Sequence, residues 1–177
     1  MNIYLEAITS TEATYALAAA AVGFGATLFM DFWALVLKRA FNVTLPDYCL
    51  VGRWLCHMPG GRFTHPSISS AAPKPHECAA GWIAHYVVGT AYSLVFLALA
   101  SARWLTQPTF LPALLFGLAT LIVPFLIMQP SFGLGIAASR APNPMQARLR
   151  SLAAHTVFGV GLYVSAVAVR YTLHVHA

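Results

Sequence analysis

One carboxylate stands inside an otherwise apolar run: Asp31, in Ala26-Thr27-Leu28-Phe29-Met30-Asp31-Phe32. A charged Asp near mid-helix costs ~2.5–3.5 kcal/mol in hydrocarbon, so such a residue faces a bundle interior and takes a partner. His85 and His155 are the candidate partners, because imidazole hydrogen-bonds a carboxylate and titrates near neutral pH. With Gln129 they form a set of four polar groups, one from each apolar run. Such a set can bind or carry a proton, a metal ion or a small anion, and for an anion Arg53 and Arg140 supply positive charge. The bland alternative is that each histidine sits solvated at the headgroup boundary; the coincidence of three ionisable groups favours a real cluster.

A second group of ligand-type residues lies between the first two runs: Cys49, Cys56, His57, His65, His76, Glu77 and Cys78. Closed zinc sites carry a short Cys-x(2–4)-Cys knuckle, which these cysteines lack. A looser, water-accessible site from His57, His65 and Glu77 fits better, and a divalent metal is the one cofactor class this suggests. The chain has no HExxH, nucleophile elbow or CxxC, which weighs against an enzyme. A metal-assisted enzyme acting on a lipid, a haem protein with His85 and His155 as axial ligands, and a structural subunit of a membrane complex stand as competing readings.

The elements that must position these groups are membrane helices. Of 177 residues, 59% are hydrophobic and 8% charged, against roughly 25% charged in soluble domains. Apolar runs at about 15–37, 81–100, 110–128 and 152–169 are each near the ~20 residues a spanning helix needs, and backbone in lipid must bond internally. The fold class is therefore an all-α membrane protein of four spans, a single domain over 1–177. Eight of the ten Lys and Arg fall in the connections 38–80 and 129–151. Basic loops stay in the cytoplasm, so both loops are expected there, with the N- and C-termini periplasmic. The same bias accounts for the net charge of +5 without a nucleic-acid partner. With no basic residue before Lys38, no cleavable signal peptide is expected. The cysteines then face a reducing compartment, where structural disulfides are not expected. The bilayer is the expected partner, with a homo-oligomer or a larger complex as further possibilities.

Two segments echo two others. Ala26-Thr27-Leu28 aligns with Ala119-Thr120-Leu121, and Ala84-His85 with Gly89 aligns with Ala154-His155 with Gly159. The spans therefore read as two tandem hairpins in a parallel repeat, with Pro124 in the position of Asp31. At ~1.5 Å per residue, Asp31 lies ~9 Å and the two histidines ~5–6 Å inside the loop face.

With Met30-Asp31, Gly52-Arg53-Trp54, His57-Met58, Gly61-Arg62-Phe63, His65, Glu77, His85-Tyr86, Met128-Gln129-Pro130 and His155 in view, the chain resembles a family of small bacterial inner-membrane proteins of unknown function, DUF2938. The resemblance spans Gly23 to Tyr163. It implies a bacterial inner membrane and four spans, and brings no activity or catalytic residues.

Overall fold

A computed structural model of the chain describes residues 2–101 and 103–175. Six helices carry the fold: α1 Asn2–Phe41, α2 Tyr48–His57, α3 Glu77–Ala100, the one-turn α4 Arg103–Thr106, α5 Phe110–Ser131 and α6 Pro144–Val175. There is no strand among the described residues. Four helices are long and apolar enough to cross a membrane, over Ala13–Phe41, Glu77–Ala100, Phe110–Ser131 and Pro144–Thr172.

The helices outrun the apolar segments that announce them. α1 continues through Lys38 and Arg39 and ends where Asn42 turns left-handed (φ 54°). α6 starts at Pro144, with proline at the helical position where its missing N–H costs nothing. Basic side chains at such ends keep their stems in the apolar layer and their charge in water. α5 is interrupted after Ala119, and Pro124–Met128 forms a π-helical turn. Pro124 lacks an N–H and its ring crowds the carbonyl one turn back, which breaks the regular ladder there.

α1 packs along α3 and α6, and α5 packs along α6. Aromatic contacts between α3 and α5, including Phe96 to Phe116 at 5.0 Å, close the bundle. The core is built on small residues of α1, Ala18, Ala19, Val22 and Ala26, facing Phe96 of α3 and Phe158, Leu162 and Ala166 of α6. Lipid is as apolar as leucine, so small residues that let backbones approach drive this packing. A Cβ added at Gly23 would lie 2.6 Å from Thr90 Cα, and one added at Gly117 would lie 2.6 Å from Gly159 Cα.

The two long connections, 42–76 and 132–143, lie at one end of the bundle and pack together. His65 N–H donates to Ser131 O (2.8 Å) and Ile68 N–H to Phe132 O (3.2 Å). Trp54 of α2 meets Phe132 edge-on at 5.7 Å. α2 is capped by Asp47, whose carboxylate accepts from Cys49 N–H (2.9 Å), and lies against the start of α3. The contact is backbone to backbone: a Cβ at Gly81 would meet the Tyr48 carbonyl, and one at Gly52 would meet Gly81 N at 2.6 Å. This approach brings the second residues of the two helices together, and Cys49 and Cys78 are joined as a disulfide. The expectation of unpaired cysteines is corrected here; Cys56 alone is free.

Candidate functional site

Asp31 finds its partners on α3. Its Oδ1 lies 3.0 Å from His85 Nε2, and its Oδ2 accepts from the Tyr86 hydroxyl at 2.8 Å. The Asp31 side chain keeps 18% of its surface exposed and that of His85 keeps 9%. Register explains the meeting. Gly89 packs on Thr27, and Asp31 and His85 each lie four residues further toward the loops. Thr27 turns its own hydroxyl back to Gly23 O (2.8 Å), so its polar atom is satisfied within α1.

A lid from the loop region covers this pair. The Tyr48 ring, on the first residue of α2, stacks on the His85 imidazole at 4.1 Å and contacts Trp82 at 4.6 Å. Burial, then the charge and hydrogen bonding of Asp31, push the Tyr48 phenol well above the ordinary tyrosine range. The phenol stays protonated beside the carboxylate. Sequence reasoning missed Tyr48 and Tyr86. Tyr86 had a signal in its adjacency to His85; Tyr48 had none, because nothing local ties residue 48 to residue 31.

The other expected site residues go elsewhere. His155 lies at the depth of Asp31: Gly161 packs on Ala26, and six residues down α6 match five down α1 to within ~1.5 Å. Its Nδ1 is bonded to Thr120 Oγ1 at 2.6 Å, inside the second hairpin. The Thr120 hydroxyl hydrogen is given to Gly117 O (2.6 Å), so His155 must donate from Nδ1. Gln129 Nε2 donates to Ser151 Oγ at 3.2 Å, about one turn nearer the loops than His155. One layer in the sequence is thus two hairpin-internal clusters plus a separate Gln129–Ser151 contact.

Arg53 and Glu77 form a bidentate pair, Nε to Oε2 at 2.9 Å and Nη2 to Oε1 at 2.6 Å. The remaining Arg53 nitrogen donates to the Ser69 and Ala71 carbonyls (3.2 and 3.3 Å), and Glu77 Oε2 also accepts from Lys74 N–H (2.8 Å). These bonds fold residues 68–77 over α2, which occupies both side chains. His57 and His65 are neighbours, ring centroids 4.9 Å apart, and His57 Nε2 lies 3.0 Å from Ala72 O. His65 is buried and its Nε2 has no protein partner. Burial, then the charges of His57 and Arg62, hold the His65 imidazole below the ordinary histidine range. Arg140 is exposed, in a turn where its N–H donates to Leu134 O (2.8 Å). No three His, Cys, Asp or Glu side chains gather as a metal-ligand set among the described residues.

The Asp31 cluster brings together groups that can donate and accept hydrogen bonds. A carboxylate, an imidazole and two phenols are linked, and no Lys or Arg is among their partners. The sequence profile of proteins of unknown function termed DUF2938 matches residues 20–169, and the chain belongs to that family. No match was found among curated proteins or among solved structures.

Proposed function

We propose that this DUF2938 protein is a multi-pass membrane protein whose working site is the Asp31–His85–Tyr86 cluster beneath Tyr48, binding and passing a proton. The observation that carries the reading is a lone carboxylate within a span, hydrogen-bonded by His85 and Tyr86 and still 18% exposed. A carboxylate and an imidazole within hydrogen-bond reach can hand a proton from one to the other. An intramembrane ionisable group of this kind marks a proton or ion path by default. A small cation is the next ligand class, and an anion is disfavoured beside a carboxylate that has no Lys or Arg among its partners. The looser His57, His65 and Glu77 metal site is the weaker proposal, since Glu77 is engaged by Arg53.

Eight of the ten basic residues lie in the loops, which supports a site facing the cytoplasm of a bacterial inner membrane with both termini periplasmic. The hairpins correspond as a parallel repeat: Gly23 meets Gly89 where Gly117 meets Gly159, and Thr27 and Thr120 bond back along their own helices. A structural role in a membrane complex is the second reading, favoured by the fact that both Asp31 oxygens have partners within the chain.

The test is proton flux into liposomes holding the purified protein, read with a trapped pH dye, for the native chain and Asp31→Asn. Flux in the native chain and its loss in a correctly folded Asp31→Asn supports the proposal. Flux retained in the variant, or absent from both, overturns it and leaves the structural role.

A further inference from the structure

We propose that Cys49 and Cys78 are a thiol–disulfide lock on the cap of the Asp31 site, closed when oxidised and open when reduced. The inference deepens the preceding reading, resting on Asp31 as the working group and on loops that face the cytoplasm. Cys49 follows Tyr48 directly, and the bond to Cys78 ties the first turn of α2 to the first turn of α3. Tyr48 is the ring stacked on His85. The rest of α2 has its own anchors, the Gly52–Gly81 approach and the Arg53–Glu77 pair. Breaking the disulfide therefore removes the covalent tie on the turn that carries Tyr48, leaving it only the Gly81 backbone contact and the ring stack on His85, while the remainder of α2 keeps its ion pair.

The compartment makes the bond a switch. A disulfide on the basic loop face meets reducing thiols, and cytosolic disulfides are characteristically transient and redox-sensing. Cys78 is exposed, which exchange with an external thiol requires. Closing transfers two electrons and two protons from the two thiols to a peroxide, which leaves as two waters. Opening takes two electrons and two protons from a cellular dithiol, which becomes a disulfide.

The experiment uses the full chain in native membranes, carrying Cys56→Ser so that two cysteines report. Acid-quenched cells are labelled with a polymer-linked maleimide, before and after a peroxide pulse, and membranes in both states are treated with a hydrophobic carbodiimide that reacts with buried carboxyls. The expected result is two labelled cysteines in growing cells, none after peroxide, and Asp31 modified severalfold faster in the reduced state. The variant Asp31→Asn identifies the Asp31 adduct against Glu77. Cysteines protected throughout mark a constitutive bond and overturn the lock, as do cysteines labelled throughout. Equal carbodiimide rates in the two states overturn the coupling to Asp31. Failure of the proton reading shows separately, as flux that survives Asp31→Asn, and does not alter the thiol pattern.

Discussion

The meeting of Asp31 and His85 depends on how closely α1 and α3 approach, so adding one methyl at Gly23 tests it. In Gly23→Ala the new Cβ would sit 2.6 Å from Thr90 Cα and 2.8 Å from Gly89 O, both backbone atoms. Ordinary contact begins near 3.4 Å, and backbone cannot swing aside as a side-chain tip can. The two helices must part by about 0.8 Å at that level. If they move as rods, the 3.0 Å His85–Asp31 contact opens to about 3.8 Å, beyond hydrogen-bond reach. Overpacking of this kind costs ~1–3 kcal/mol.

The assay is reversible unfolding in mixed micelles, followed by helix content, for Gly23→Ala, Asp31→Asn and the double variant. If Gly23→Ala already separates the pair, the added penalty of Asp31→Asn shrinks in its presence, with a coupling of ~0.5–3 kcal/mol. Gly117→Ala serves as the matched control: it parts α5 from α6, where Thr120 and His155 meet, and its effect adds to that of Asp31→Asn. A stable Gly23→Ala, or strict additivity of Gly23→Ala with Asp31→Asn, refutes the packing argument.

Tyr86→Phe removes one donor from Asp31 Oδ2; a hydrogen bond to a charged group is worth ~1.5–3 kcal/mol, and the same unfolding assay should show a loss in that range. Leu162→Ala, at a side chain with no exposed surface, should cost ~2–5 kcal/mol by the same measurement while leaving proton flux per folded molecule intact. His65 supplies a pH dependence. Its imidazole is held below the ordinary value in the folded loop cap, by burial first, so the unfolded segment binds the proton more readily. The stability it lends is present above the unfolded pKa of ~6.5 and is lost as pH falls below it. Protease nicking of residues 42–76 should therefore accelerate on acidification, and His65→Gln should flatten that dependence; an unchanged profile in the variant sinks the assignment.

Four helices long and apolar enough to cross a membrane were legible because 8% charge cannot cover a soluble domain, and hydrocarbon permits few alternatives. Their ends were less so, since apolarity stops at the membrane edge while backbone hydrogen bonding does not; α6 accordingly begins at Pro144, ahead of its apolar run. Asp31 and His85 could be paired in advance, because an isolated carboxylate in lipid must recruit a donor. Arg53 and Glu77 were read as parts of two different ligand sites. A bidentate bond across 24 residues leaves no local pattern, and only the Gly52–Gly81 contact makes it possible. The disulfide was hidden for the same reason: the rule from compartment argued against a bond that helix packing makes geometrically available.

The crossing of α1 with α3 and that of α5 with α6 share a local packing and differ beyond it. At the crossing of α1 and α3, and again at that of α5 and α6, glycines let the backbones touch and a threonine one turn on bonds back along its helix. Beyond that point they diverge. The first hairpin has Asp31 in a regular helix, facing a histidine, with Tyr48 closing over it. The second has Pro124, a π-helical turn, and a histidine satisfied by a hydroxyl in place of a carboxylate. Pro124 and the π-helical turn remove regular ladder hydrogen bonds from α5, and a neutral Thr–His contact opens at less electrostatic cost than an Asp–His pair. Under the proposed proton reading, the carboxylate stays in a regular helix and any displacement falls to the irregular one. Changing Pro124→Ala should then stiffen α5 and slow any cycle of the site while Asp31 keeps its bonds, whereas Asp31→Asn should stop the cycle with α5 unchanged. Hydrogen exchange along α5, measured beside proton flux, separates the two; equal exchange in native and Pro124→Ala chains would leave the second hairpin without a mechanical role.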